Sequence, residues 1–122
     1  MKVTLCKLTV ISESLLREEI AELILRLGAT GYTMTRVEGR GSRGRRASDF
    51  EGRNVKFEVI VSEETADAIL EEVAERYFED FAVIAWLTSA EVLRGNKFVK
   101  SASAPPSGEA TSKPETKNED RP

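Results

Sequence analysis

Asn54 to Glu64 reads N-V-K-F-E-V-I-V-S-E-E. Val55, Phe57, Val59 and Val61 alternate with Lys56 and Glu58, the period of two that a half-buried antiparallel strand requires. Ser62 then offers a capping hydroxyl, and Glu63 and Glu64 put acids into the first turn of a helix. Ala66, Ile69, Leu70, Val73, Ala74 and Tyr77 follow at helical spacing and form one apolar stripe. The same cadence occurs earlier in the chain, where L-T-V-I-S-E at Leu8 to Glu13 matches E-V-I-V-S-E at Glu58 to Glu63. Two strand-to-helix units in one small chain decide the fold.

Working outward, Val3 to Ile11 (V-T-L-C-K-L-T-V-I) is rich in β-branched residues and reads as the first strand. Cys6, Leu8 and Val10 share one face, and Val3, Leu5 and Ile11 share the other. Ser12 is expected to cap the first helix, whose stripe is Leu16, Ile20, Leu23, Ile24 and Leu27. Glu13, Arg17, Glu18, Glu22 and Arg26 read as its solvated side, and Gly28 as its left-handed stop. Tyr32 to Val37 reads as a second strand and Ala82 to Thr88 as a fourth, with Ser89 to Leu93 as one further turn. The order β-α-β-β-α-β predicts an α+β, ferredoxin-like domain: a four-stranded antiparallel sheet with both helices on one face. The other face carries Leu5, Ile60 and one apolar side of the last strand, a patch that copies of the chain are expected to cover for one another.

Between the second and third strands lies Glu38 to Asn54, E-G-R-G-S-R-G-R-R-A-S-D-F-E-G-R-N. It holds four of the chain's eight glycines and five arginines, at 40, 43, 45, 46 and 53, in a chain whose net charge is −3. Glycine lets backbone approach a ligand closely, and arginine offers a planar fork of donors matched to phosphate or carboxylate oxygens. The loop is longer than ordinary connections of about 4–6 residues. It reads as a local anion site and not as general basic character.

Composition narrows the chemistry further. The chain has 122 residues, one cysteine and no histidine, so the commonest general base and metal ligand is missing. Cys6 lies within a strand and reads as a small core residue in a reducing compartment. Ser101 to Pro122 holds all four prolines and no Leu, Ile, Val or aromatic residue, which predicts a disordered tail over 99–122 after a domain over 1–98. Neither a secretory leader nor an apolar run of about 20 residues is legible, so a cytoplasmic protein without direct membrane insertion is expected. The loop is not a P-loop, having neither the spacing nor the lysine, and it does not open a helix as a dinucleotide fingerprint does. No catalytic set and no metal site is expected. The alternative is a small RNA-binding ferredoxin-like domain, but V-K-F-E-V-I-V lacks the paired aromatics that stack bases, and the acidic balance disfavours a nucleic-acid partner.

G-Y-T at Gly31 to Thr33, G-R-G-S-R at Gly39 to Arg43 with Arg46 beyond, V-K-F-E at Val55 to Glu58, Y-F-E-D-F-A at Tyr77 to Ala82 and S-A-E-V-L-R-G at Ser89 to Gly95 occur in that order. Over about residues 3–98 this set resembles the PII-like signalling proteins, in the branch of the bicarbonate-transporter regulators and the carboxysome-associated PII-like proteins. The resemblance implies a homotrimer that binds an adenine nucleotide, ADP or AMP, between subunits, with bicarbonate as a further ligand in some members. It identifies residues 38–54 with the family's T-loop and carries nucleotide binding over to Thr33, Arg40, Gly41, Ser42, Arg43, Arg46, Val83 and Ile84. Arg40 stands where relatives often have lysine, and Val83 where they can have glycine. The implied role is signal transduction, not enzymatic, acting on inorganic-carbon uptake or on carbon fixation in carboxysomes. The tail lacks the cysteine hairpin tied in the best-known transporter regulators to redox control and weak hydrolysis, so neither is expected.

Overall fold

The computed structural model describes residues 1–39 and 53–99. Four strands, β1 (Lys2–Glu13), β2 (Thr33–Val37), β3 (Asn54–Val61) and β4 (Ile84–Leu93), and two helices, α1 (Arg17–Arg26) and α2 (Glu63–Tyr77), form the expected β-α-β-β-α-β order. The sheet order is β2-β3-β1-β4, and every neighbouring pair is antiparallel. This is the ferredoxin-like arrangement.

The alternation read from the sequence sets the core. Val55, Phe57, Val59 and Val61 of β3 are buried, as are Leu8 and Val10 of β1. The register Leu8↔Val59 and Val10↔Phe57 puts them on the same side of the sheet. Against them pack Leu16, Ile20, Leu23 and Ile24 beside α1, and Ala66, Ile69, Val73 and Tyr77 of α2. Gly28, at φ 124°, ends the first helical segment in a conformation that side chains rarely adopt. Ser62 caps α2 as expected, its Oγ accepting from the Thr65 amide at 3.2 Å.

Several boundaries differ from the sequence reading, among them the start of β4, which is Ile84 and not Ala82. Ser12 does not cap α1. β1 instead runs on to Glu13, paired with β3 through Ser12↔Val55 and Glu13↔Asn54. A 3₁₀ turn at Ser14–Leu16 then leads into α1, which has no side-chain cap. The Ser14 amide that a Ser12 cap would have served donates instead to the Arg53 carbonyl at 3.1 Å, and the ladder takes both paired residues out of solvent: Ser12 and Glu13 are fully buried. At the other end, Ser89 to Leu93 is strand and not a turn, because β1 pairs with it from Cys6↔Ser89 to Lys2↔Leu93.

The sheet face away from the helices follows from the same register. Ile11↔Ile84, Thr9↔Trp86 and Val3↔Val92 place these residues together on it, and Val3, Ile84 and Trp86 remain exposed. An apolar sheet face in water is the feature that association between copies removes.

Candidate functional site

The glycine–arginine segment is rooted at one end of the sheet. It leaves after Val37 at the end of β2 and returns at Asn54 at the start of β3, and these two residues are paired. Asn54 is paired in turn with Glu13, the last residue of β1. The next amide, Ser14 N–H, donates to the Arg53 carbonyl at 3.1 Å and ties the returning stem to the end of β1.

On the other side of Glu13 the chain approaches β4. Glu13 Oε2 accepts a hydrogen bond from the Ala82 amide at 2.7 Å. Backbone pairing of β1 with β4 stops at Ile11↔Ile84, so the carboxylate takes over two residue pairs beyond the ladder and helps to hold the approach in line. Glu13 Oε1 is also buried, and it has no hydrogen-bond partner among the described residues. The sequence reading had put Glu13 on a solvated helix face. The available signal was its position: it continues the odd-numbered series Val3, Leu5 and Ile11, so an extended β1 carries it on the same sheet face.

Val83 and Ile84 sit beside this carboxylate and differ from each other. Val83 is turned into the core and its amide bonds the Phe81 carbonyl at 3.1 Å, so it can meet a ligand only through backbone. Ile84 is 57% exposed. Thr33, the first residue of β2, is exposed and pairs with Glu58. Arg40, Gly41, Ser42, Arg43 and Arg46 lie outside the described residues, and their stems alone are placed.

The sheet order separates two of these positions. β2 and β4 are opposite edges, three strand spacings or about 14 Å apart. Thr33 and Ile84 of one chain therefore do not converge. They can line a common cleft only where the β2 edge of one copy meets the β4 edge of another.

Between them, Lys7 Nζ lies 3.0 Å from Glu58 Oε2, and Lys56 lies at 4.0 Å. The hydrogen bond from Lys7 holds the Glu58 carboxyl below its usual range. Burial, followed by the charges of Glu63 and Asp67, pushes the Cys6 thiol up, which makes it a poor nucleophile. Tyr77 donates to Glu19 Oε1 at 2.9 Å and links the two helices. Among the described residues no group of three His, Cys, Asp or Glu could hold a metal ion, and no helix is long and apolar enough to cross a membrane.

The family model for nitrogen regulatory protein P-II matches residues 5–97, most of the chain. The chain belongs to the P-II family. A PII-like signaling protein from Thermus thermophilus is 48% identical to this P-II chain, with a TM-score of 0.70 over 80% of it and 98% of the relative. CPII from Thiomonas intermedia, bound to ADP, AMP and acetate, is 25% identical, with a TM-score of 0.70 over 80% of this chain and 97% of its own. The same protein bound to ADP and bicarbonate is 27% identical, at the same TM-score and coverage. The P-II match spans both βαβ units and the loop between them, and so agrees with the fold built above.

Proposed function

We propose that this protein is a trimeric PII-like sensor of adenine nucleotides, of the ADP and AMP class, with bicarbonate as a second effector. The observation that carries the proposal is the placement of the two ends of the arginine segment. Its stems stand at the same sheet end as Ile84, while Thr33 is available only from another copy. A cleft between copies then offers arginine forks for phosphates and an apolar strand edge for a base. The ADP, AMP and bicarbonate bound by CPII support this reading.

In this proposal Arg40, Arg43 and Arg46, with the Gly41 amide and the Ser42 hydroxyl, hold the phosphates. Thr33, Ile84 and the backbone at Val83 meet the base. Charge-assisted bonds to phosphate are the stronger kind, and a bidentate guanidinium adds direction to them. The nucleotide acts as a signal because it favours one arrangement of the segment, which a partner protein reads. The partner is an inorganic-carbon transporter or a carboxysome component, and the protein acts in the cytoplasm without turning the nucleotide over. The branch of bicarbonate-transporter regulators and carboxysome-associated PII-like proteins is the proposed place of this chain within the family.

Calorimetry with ADP and AMP, with and without bicarbonate and at two salt concentrations, tests the reading. Saturable heat that persists at the higher salt, with no phosphate released on prolonged incubation, is expected. Absence of nucleotide heat together with steeply salt-dependent RNA binding would overturn it.

A further inference from the structure

Glu13 has one carboxylate oxygen more than the fold uses. Oε2 accepts from the Ala82 amide at 2.7 Å, which helps to align the approach to β4. Oε1 is buried with no partner among the described residues. A carboxyl oxygen that carries no proton accepts hydrogen bonds, so a donor is what would satisfy Oε1. Buried polar atoms without a partner are few in folded proteins, and each calls for a physical explanation.

The position of Glu13 suggests the donor. Across the end of the sheet the order is Asn54 on β3, Glu13 on β1 and Ala82 before β4. Asn54 closes the stem of the arginine segment, and Ala82 leads to Ile84. In the binding mode proposed above, phosphates lie toward the first and the base toward the second, two strand spacings or about 10 Å apart. Glu13 stands between them, as the sugar of a nucleotide stands between phosphate and base. A carboxylate repels phosphate, but it accepts readily from a neutral diol, the use to which acidic residues are put in dinucleotide-binding folds.

We propose that Glu13 is a ligand-binding residue of this cleft, its Oε1 accepting a hydrogen bond from a ribose hydroxyl while Oε2 keeps hold of Ala82. This rests on the nucleotide reading of the site. Arg53 and Ile84 at the same sheet end are exposed, and the proposal requires that the groups over the buried Oε1 shift to uncover it. Glu13 thereby selects ribonucleotides over their deoxy counterparts.

The test is calorimetry of ADP, 2′-deoxy-ADP and 3′-deoxy-ADP against the full chain and against Glu13→Gln. Glutamine keeps an oxygen for the Ala82 amide and puts an amide nitrogen in place of the free acceptor. The wild-type protein is expected to bind one of the two deoxy analogues about ten-fold to a hundred-fold more weakly than ADP. Glu13→Gln is expected to bind ADP more weakly by a similar factor and to distinguish the analogues by no more than a few-fold. Glu13→Ala, which also releases Ala82, should weaken ADP at least as much, and melting curves of both variants report whether the fold survives. Equal wild-type affinity for all three nucleotides, or undiminished discrimination in Glu13→Gln, overturns the proposal while leaving the nucleotide site standing. Failure of the wild-type protein to bind ADP at all overturns both.

Discussion

Replacing Trp86 by glutamate tests whether the bare sheet face is an interface between copies. Trp86 lies on β4 opposite Thr9 and keeps 42% of its surface exposed in the single chain. A tryptophan has about 150–250 Å² to bury, so roughly 60–105 Å² of this one is left for a neighbour. At about 25 cal/mol per Å² that is roughly 1.5–2.6 kcal/mol per copy, or about 5–8 kcal/mol in a trimer. The loss corresponds to about four to six powers of ten in the association constant. The carboxylate brings a desolvation penalty of its own, on the order of several kcal/mol for each buried ion. Light scattering at micromolar concentration is expected to show a trimer for the wild type and a monomer or an aggregate for Trp86→Glu. Leu25→Glu is the control: it has the same 42% exposure but lies on α1, on the helix side of the sheet, and should leave the trimer intact. A monomeric wild type, or a Trp86→Glu protein whose trimer survives dilution as well as the wild type's, refutes the reasoning.

Two further predictions concern the loop and the helix layer. Arg43→Ala and Arg46→Ala should each weaken ADP binding by roughly ten-fold to a hundred-fold, as expected for loss of one charge-assisted bond, whereas Arg45→Ala should cost much less; equal, small, salt-erased losses at all three would reduce the loop to a diffuse field. Tyr77→Phe removes the bond to Glu19 and should cost about 1.5 kcal/mol in urea unfolding. Burial raises the Tyr77 phenol above 10.0, with Glu19 adding to the effect. The wild-type advantage should therefore be full below pH 10 and lost as pH rises through the folded value. An advantage that stays constant into strong alkali would contradict that assignment.

The strongly periodic stretches were legible because burial and sequence period report the same thing. Val55 to Val61 alternates in sequence and is buried on that alternation, and Ser62 with its two glutamates opens α2 as written. The near-identical Ser12-Glu13 does not open a helix, since both residues are still paired with β3. A dipeptide with the same local preference thus took two conformations, and long-range pairing decided which. For that reason the buried carboxylate was missed. The extent of β4 was illegible for a related reason: Ser89, Glu91 and Leu93 are neither clearly strand nor clearly turn until β1 supplies their partners. Thr33 and Ile84 were both named as site residues, but their separation at opposite edges depends on the sheet order, which no local pattern encodes.

The most direct test of the account is a crystal structure of the protein grown with ADP. It predicts a nucleotide between two copies, with the phosphates on Arg43 and Arg46, the base against Ile84 of one copy, and Thr33 contributed by its neighbour. A nucleotide held by a single copy, or one whose phosphates avoid the arginine segment, would contradict it.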